Sequence, residues 1–249
     1  EGKELLGRTA VMYSFRASED VYVSAAIQRG KWHKPWDELC RLYQRHPGFS
    51  FLDVGANLGA LAVPLALCLE RLGTHPDASW VVAVEASPPI LDMLRVNLRV
   101  NLIENVLLFP YALGENVGGF VELSAPENDL AHTNALFRTN SSEPLLAPVT
   151  TLDTLYQAAP LQMGKVLLMN IDLAGYEGLA LLGANRLLSE APPCYVQIEA
   201  VRHWLDRART PLSSVLGYLG SRGYSVSTAQ HSVSGRSYLL RQRELDACL

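Results

Sequence analysis

Several features that define large classes of protein are scarce or missing in this sequence. No run reaches the roughly 18 consecutive apolar residues of a membrane-spanning helix, and the nearest, residues 58–69, contains Pro64. The formal net charge is −4 and the pI is near 5.9, so the basic character of a nucleic-acid-binding protein is lacking. We therefore expect neither a membrane span nor a nucleic-acid substrate.

Cysteine is also scarce, with four in 249 residues. Cys40, Cys68, Cys194 and Cys248 show no Cys-x-x-Cys spacing, so the sequence signals neither a zinc site nor a disulfide framework and leaves the redox compartment open. A soluble domain is expected, with the cytoplasm as the favoured location. Because the chain begins at Glu1 rather than methionine, a removed N-terminal signal or anchor stays open.

What is present is the composition of an ordinary globular protein. Of its residues, 49% are hydrophobic and 18% are charged, which excludes disordered and collagen-like classes. The length suits one large α/β domain. Residues 1–50 mix aromatic and charged residues before the first convincing strand. We expect them to form an N-terminal cap on a domain of residues 51–249.

The most informative segment is Phe51-Leu-Asp-Val-Gly-Ala-Asn-Leu-Gly59. It predicts a short buried strand, a tight turn at Gly55 and Gly59, and a helix over residues 58–72. A second apolar run, residues 81–84, ends at Glu85. Glycine allows backbone to approach a ligand, and an acid ending the next strand can accept hydrogen bonds from both hydroxyls of a ribose. The pattern therefore predicts a site for an adenosine-type ligand.

The spacing within this turn favours S-adenosylmethionine over NAD. The dinucleotide fingerprint is Gly-x-Gly-x-x-Gly, whereas this chain has Asp53-x-Gly55-x-Asn57-x-Gly59. A carboxylate such as Asp53 attracts the ammonium of a methionine group, and Asn57 can bind its carboxylate or cap the turn. An ordinary glycine turn, with Asp53 as a helix cap, is the alternative.

The order of the predicted elements indicates an α/β fold. Alternating strands and helices predict a doubly wound, mostly parallel sheet that ends in an antiparallel hairpin of residues 223–228 and 237–241. Residues 165–172 predict a central strand, residues 177–188 a helix, and residues 124–148 a loop over the active site. Ligands of such sheets collect at the carboxyl ends of the strands. Four acids at predicted strand ends indicate a polar site: Asp53, Glu85, Asp172 and Glu199.

Five segments, in their order along the chain, resemble the FkbM-like methyltransferases. They are the segment from Phe51 to Gly59, Glu85-Ala-Ser-Pro88, the Asn97 and Asn101 pair, Tyr111-Ala-Leu-Gly114, and Asn170-Ile-Asp-Leu-Ala-Gly-Tyr-Glu177. The resemblance implies a Rossmann-like class I methyltransferase with a seven-stranded sheet. Such enzymes use S-adenosylmethionine and commonly O-methylate hydroxyls of sugars, polyketides or other natural products.

The resemblance also implies a set of cofactor residues. They are Asp53, Gly55, Asn57, Gly59, Glu85, Ala86, Ala112, Leu113 and Asp172. The first four would hold the methionine part of the cofactor, and Glu85 the ribose. The adenine would lie against Ala112 and Leu113.

One segment departs from the family pattern. The family usually has Lys-x-Asp-x-Glu-Gly-x-Glu, whereas this chain has Asn170 and Ala174 at the first and fifth positions, so two charges are lost. Asp172, Gly175 and Glu177 remain. We therefore expect cofactor binding, whereas substrate choice and deprotonation are put in doubt. A cofactor-binding scaffold without turnover is the alternative function.

An alcohol acceptor benefits from a general base, which is usually a histidine or a carboxylate. The sequence offers Asp172 first, then Glu199 and His203, with Glu177 and His132 as further options. No resident metal is predicted, and Mg²⁺ between Asp172 and Glu199 is the minority hypothesis. An NAD-dependent oxidoreductase is disfavoured because the fingerprint glycines are missing. The expected partner is a small-molecule or glycan hydroxyl acceptor, and the oligomeric state is not predicted.

Overall fold

The computed structural model describes residues 2–5, 8–20, 23–29, 36–72, 79–123, 145–231 and 236–249. His132 lies outside these ranges, as does most of the predicted loop of residues 124–148.

The N-terminal region consists of a hairpin and two helices. They are β1 (Gly2–Leu5), β2 (Arg8–Val11), α1 (Val23–Gln28) and α2 (Trp36–Arg45). Cys40 and Tyr43 of α2 are buried in an apolar cluster against the central sheet. Ile27 of α1 is buried with Leu58 and Ile90. The region thus packs on the main domain, as expected of a cap, and the boundary at residue 51 stays a prediction.

The main domain alternates strands with helices. In chain order the elements are β3 (Ser50–Val54), α3 (Ala62–Arg71), β4 (Val81–Val84), α4 (Pro88–Val100), β5 (Val106–Phe109), β6 (Ala112–Leu113), β7 (Phe120–Leu123), β8 (Leu145–Thr150), α5 (Leu152–Ala158), α6 (Pro160–Met163), β9 (Val166–Ile171), α7 (Glu177–Leu182), α8 (Leu187–Glu190), β10 (Tyr195–Ala200), α9 (Arg202–Arg207), α10 (Leu212–Ser221), β11 (Tyr224–His231), β12 (Arg236–Gln242) and α11 (Leu245–Cys248).

A seven-stranded sheet forms the centre of the fold, in the order β11-β12-β10-β9-β3-β4-β5. The pairs among β10, β9, β3, β4 and β5 are parallel, whereas β12 runs antiparallel to both of its neighbours. Within this sheet, β3 is the first strand in the sequence. The chain continues outward through β4 to β5 and later adds β9 on the other side of β3. The strand order therefore reverses between β3 and β9, where parallel sheets bind ligands. The predicted doubly wound sheet with its C-terminal hairpin is confirmed.

The central strands of this sheet are apolar at successive positions, and both faces of the sheet are buried. Leu52 and Val54 point into one apolar cluster, together with Met169 and Ile171. Phe51 lies in the cluster on the opposite face. Side chains alternate between the faces of a strand, so a run that is apolar throughout requires cover on both sides, which the helices provide.

A small sheet of three strands corrects one of the sequence-based expectations. β8 occupies residues 145–150, within the predicted loop, and pairs parallel to β6 and antiparallel to β7. The small sheet thus has the order β6-β8-β7. The predicted loop was therefore wrong over residues 145–148. The local sequence did not reveal this strand because its partners lie more than 20 residues away in the chain.

Two disulfides correct the interpretation of the cysteines. Cys40 of α2 is bonded to Cys68 of α3, with Cα atoms 6.0 Å apart. Cys194, just before β10, is bonded to Cys248 of α11, with Cα atoms 5.6 Å apart. The partners are separated by 28 and 54 residues, so no short spacing motif predicted these pairs. Within the described ranges, no helix combines the length and the apolar character needed to cross a membrane.

Candidate active site

The strand register brings the ends of four strands to one level at the edge of the sheet. Val54 of β3 is the partner of Val84 in β4 and of Ile171 in β9, and Ile171 is the partner of Ile198 in β10. The next residues therefore form a row, which we call the strand-end row: Glu85, Gly55, Asp172 and Glu199. Three of the four predicted strand-end acids lie in it. Asp53 is the exception, because it precedes Val54 within β3.

The turn after β3 is fixed by backbone hydrogen bonds to β4. The N–H groups of Gly55 and Ala56 both donate to the carbonyl of Val84, at 2.9 Å. Gly55 has a φ of +87°, and a Cβ at this position would overlap the carbonyl oxygen of Asp172. Only glycine combines this backbone conformation with so close an approach to the neighbouring strand end.

Asn57 and Gly59 complete the turn. Asn57 has a φ of +52°, and its Oδ1 accepts the N–H of Leu58 at 2.8 Å, so its side chain caps the turn. A Cβ on Gly59 would lie 2.6 Å from Cδ1 of Leu94 and 2.8 Å from Cγ2 of Val63. The second glycine therefore allows α3 and α4 to pack closely around the turn.

Glu85 is a buried carboxylate that organises the neighbouring backbone. It is 8% exposed, its Oε2 accepts the N–H of Asn57 at 2.9 Å, and its Oε1 accepts the N–H of Ser87 at 2.8 Å. Burial raises the pKa of Glu85, with a further contribution from the charge of Asp53, although the N–H bonds oppose this rise. Each carboxylate oxygen can accept a second hydrogen bond, so Glu85 keeps acceptor capacity for ligand hydroxyls.

Asp53 lies beneath the turn and contacts the next strand. It is fully buried, and its Oδ1 accepts a hydrogen bond from Nδ2 of Asn170 at 3.0 Å. Asn170 is therefore directed at Asp53, whereas Asp172, beyond the end of β9, is exposed. The side chains of Asn170 and Asp172, two residues apart in the chain, thus have different surroundings.

The loop after β9 folds around the carboxylate of Glu177. This side chain is 1% exposed; its Oε1 accepts the N–H groups of Leu173 and Gly175 at 2.9 and 3.1 Å, and its Oε2 accepts that of Gly175 at 3.0 Å. Burial raises the pKa of Glu177 to about 7, and the charge of Glu199 contributes to the rise. Glu177, which the sequence offered as a base, therefore holds the loop that presents Asp172.

The remaining predicted site residues differ in their exposure. Glu199 is half-buried near the end of β10, and His203 is exposed in α9 with its ring centroid 5.3 Å from that of Trp204. Ala86 and Ala112 are half-buried, and Leu113 is buried. The N–H of Glu85 donates to the carbonyl of Phe109 at 3.1 Å, so the segment that follows β5 passes next to this acid.

The side-chain contacts of two asparagines were not foreseen. Asn97 and Asn101, recognised in the sequence only as a motif, bind the backbone of the N-terminal segment through their side chains. The available signal was their spacing of four residues, which places both amides on one face of a helix.

The chemistry of the site suits a ligand that carries positive charge and hydroxyl groups. Carboxylates attract an ammonium or a sulfonium, and Glu85 can accept from ribose hydroxyls. The same carboxylates would repel the pyrophosphate of NAD. S-adenosylmethionine therefore fits this set of side chains. Among the residues that the structure describes, no group of three or more His, Cys, Asp or Glu residues could hold a metal ion.

Two methyltransferases of known structure are similar to this chain. A putative O-methyltransferase from Klebsiella pneumoniae aligns over 91% of this chain and 84% of its own, with 16% identity and a TM-score of 0.50. Magnesium protoporphyrin IX methyltransferase from Synechocystis PCC 6803, solved with bound SAH, aligns over 88% of this chain and 85% of its own, with 13% identity and a TM-score of 0.45. The chain therefore has the Rossmann-like fold of class I methyltransferases.

The family follows from a comparison of sequences. The profile of the methyltransferase FkbM domain matches residues 53–226, well over half of the chain. The protein belongs to the FkbM methyltransferase family, and the family predicted from the motifs is confirmed. Membership of this family supports methylation that depends on S-adenosylmethionine. No curated protein matches the chain by sequence.

Proposed function

We propose that this protein is an S-adenosylmethionine-dependent O-methyltransferase that acts on a hydroxyl of a sugar, a polyketide, a glycan or another natural product. The observation that carries the proposal is the strand-end row, in which three carboxylates and a glycine turn meet at the switch point of the sheet. This arrangement places acceptors for ribose hydroxyls and for a cationic group beside carboxylates that can take up a proton.

The cofactor residues are assigned from this row and from the family pattern. Glu85 would accept the ribose hydroxyls, and Ala86, Ala112 and Leu113 would line the adenine. Gly55, Asn57 and Gly59 would hold the methionine part. Asp53 supports their turn from below, and Asp172 would bind the ammonium and the acceptor.

The chain contributes to the reaction chiefly by positioning and by proton transfer. Bound S-adenosylmethionine would supply an electrophilic methyl group for in-line displacement by the acceptor oxygen, with S-adenosylhomocysteine as the leaving group. Asp172 accepts the proton of the acceptor hydroxyl, because it is the exposed carboxylate at the centre of the strand-end row. Glu199, one strand further, is the second candidate base, and His203 is the third.

Calorimetric titration of the purified protein with S-adenosylmethionine, S-adenosylhomocysteine and NAD tests the cofactor. We expect binding of the first two ligands and none of NAD. Binding of NAD alone, or of none of the three, would contradict the proposal. A parallel series with Mg²⁺ shows whether a metal affects the affinity.

Turnover is tested with a labelled methyl donor and a panel of hydroxylated acceptors. Asp172→Asn should lower kcat by at least about 100-fold, the scale of general-base catalysis, with S-adenosylhomocysteine affinity changed less than kcat. Glu199→Gln and His203→Gln are the matched comparisons. If either of them lowers kcat more than Asp172→Asn does, the base is assigned to that residue instead.

A second candidate function is a cofactor-binding scaffold without turnover. It is favoured by Asn170 and Ala174, which stand where the family usually has charged residues. Under this alternative, S-adenosylmethionine binds but no acceptor on the panel is methylated. Asn170→Lys combined with Ala174→Glu would then restore measurable methyl transfer, whereas an active wild-type protein excludes the scaffold.

A further inference from the structure

Asn97 connects the N-terminal segment to the glycine turn. It lies in α4, is fully buried, and its Nδ2 donates to the carbonyl of Leu58 at 2.8 Å and to that of Tyr13 at 3.0 Å. Its Oδ1 accepts the N–H of Tyr13 at 2.6 Å. One amide therefore binds two backbone segments that are far apart in the sequence, and its bond to the carbonyl of Leu58 is buried.

Asn101, one helical turn later, makes the same contact with the N-terminal segment. Its Oδ1 accepts the N–H of Val11 at 2.8 Å, and its Nδ2 donates to the carbonyl of Val11 at 2.6 Å and to that of Asn97 at 2.7 Å. Residues four apart on a helix lie about 6 Å apart, close to the spacing of alternate residues in an extended chain. The two asparagines thus bind the N-terminal segment as a neighbouring β-strand would.

Hydrogen bonds within the turn connect Leu58, the partner of Asn97, to Glu85. The N–H of Leu58 donates to Oδ1 of Asn57, whose own N–H donates to Oε2 of Glu85. The side chain of Leu58 is fully buried beside Ile27 of α1. The N-terminal region therefore contacts the turn both through the Asn97 amide and through apolar packing.

We propose that Asn97 is a positioning residue that couples the glycine turn to the N-terminal segment, so that cofactor binding and ordering of residues 11–15 strengthen each other. The inference rests on the proposed cofactor site. Coupling between two sites is reciprocal, so the same free energy must appear in cofactor affinity and in protection of the N-terminal segment. Asn101 provides the matched control because its contacts join Val11 to α4.

Hydrogen exchange and calorimetry on Asn97→Ala and Asn101→Ala test the coupling. Asn97→Ala should speed exchange in peptides covering both residues 10–16 and 55–60. It should also weaken S-adenosylhomocysteine binding by at least about fivefold, the effect of losing one buried hydrogen bond. Asn101→Ala should speed exchange only in residues 10–16 and change the affinity by less than about twofold. Equal effects of both variants on affinity, or unchanged exchange in residues 55–60 of Asn97→Ala, would overturn the proposal.

The wild-type protein provides a test that needs no substitution. S-adenosylhomocysteine should slow exchange in residues 10–16, and unchanged exchange there would overturn the coupling even if Asn97→Ala fails to fold. If the wild-type protein binds neither S-adenosylmethionine nor its product, the proposed function fails instead. The ligand-free comparison of the two variants then still shows whether Asn97 holds both segments.

The disulfides carry a second, independent inference. All four cysteines of the chain are paired, and Cys40, Cys68 and Cys194 are buried. Each bond joins elements distant in the sequence, α2 to α3 and the start of β10 to α11. Disulfides form and persist in oxidising compartments, whereas thiols are kept reduced in the cytosol. We infer that the protein matures in an oxidising compartment, in contrast to the location favoured from the sequence.

Trapping thiols in intact cells of the native source tests this inference. N-ethylmaleimide is added before lysis, and the protein is digested without a reductant for mass spectrometry. We expect the two cross-linked peptide pairs, Cys40 with Cys68 and Cys194 with Cys248. N-ethylmaleimide adducts on either pair would overturn the inference. A sample reduced before alkylation shows that all four cysteine peptides are detectable.

Discussion

Asn170 donates a side-chain hydrogen bond to Asp53 across two neighbouring strands, with 3.0 Å between Nδ2 and Oδ1. The two residues are register partners in the parallel pair of β9 and β3, and both are buried. Where the family usually has lysine, this chain therefore binds the buried carboxylate of Asp53 through a neutral amide. The substitution changes the charge beneath the glycine turn but keeps a donor for Asp53.

Removal of this donor should destabilise the protein. Asn170→Ala takes a hydrogen bond from a buried carboxylate, which costs about 1–3 kcal/mol of the free energy of unfolding. Chemical denaturation measures the loss. Gln197→Ala is the control, because Gln197 is the register partner of Asn170 on the other side, in β10. An equal loss in both variants would show that the hydrogen bond to Asp53 adds nothing specific to the free energy of unfolding.

Alanine substitutions at Gly55 and Gly48 separate the effect of backbone strain from that of steric overlap. Their φ angles are +87° and +86°, so alanine is strained by about 1–2 kcal/mol at either position. At Gly55 the new Cβ would also overlap the carbonyl of Asp172, whereas at Gly48 nothing lies within 4 Å. Gly55→Ala should therefore lower the melting temperature further and abolish S-adenosylhomocysteine binding. Equal melting temperatures would mean that the turn and the end of β9 move apart freely.

The sequence predicted the elements that local patterns define. β3, β4, β9 and β10 are apolar runs that end near acids, and the glycine turn has a spacing of its own. The predicted helix over residues 58–72 begins at Ala62, since the turn extends that far. The predicted helix over residues 177–188 is interrupted: α7 ends at Leu182 with Gly183 as its C-cap, and α8 begins at Leu187.

The sequence did not predict the features that depend on partners far away in the chain. Cysteine pairing depends on how α2 packs on α3, and β8 depends on partners in β6 and β7. Asn97 and Asn101 bind backbone 84 and 90 residues away, so their side chains could not be assigned a contact from their own helix. Strand ends were predictable because parallel strands align their carboxyl ends, whereas these contacts follow from tertiary packing.

The carboxylate of Glu85 should be needed for cofactor affinity. Glu85→Gln keeps the shape of the side chain but places an N–H₂ group against the N–H of either Asn57 or Ser87. We expect S-adenosylhomocysteine affinity to fall by at least about tenfold, since a charge-assisted acceptor is lost. Titration calorimetry measures this, with the exposed Glu104→Gln as the control. Unchanged affinity in Glu85→Gln would remove Glu85 from the ribose site.

Glu177 should make stability depend on pH near neutrality. Its folded pKa is raised from 4.5 to about 7, so the folded state binds this proton more tightly than the unfolded state does. The stabilising contribution is therefore complete below pH 4.5 and is lost as the pH rises to about 7. At roughly 1.4 kcal/mol per pKa unit, the free energy of unfolding should fall by up to about 3 kcal/mol across this window. Urea denaturation between pH 5 and 8 measures the slope.

The Glu177→Gln variant is the first control. Its side chain cannot titrate and can keep an oxygen facing the N–H groups of Leu173 and Gly175, so its curve of stability against pH should be flatter. The exposed Glu115→Gln should keep the wild-type slope. If Glu177→Gln also keeps that slope, the pH dependence belongs to another group, with Glu85 the first to test because burial raises its pKa in the same direction.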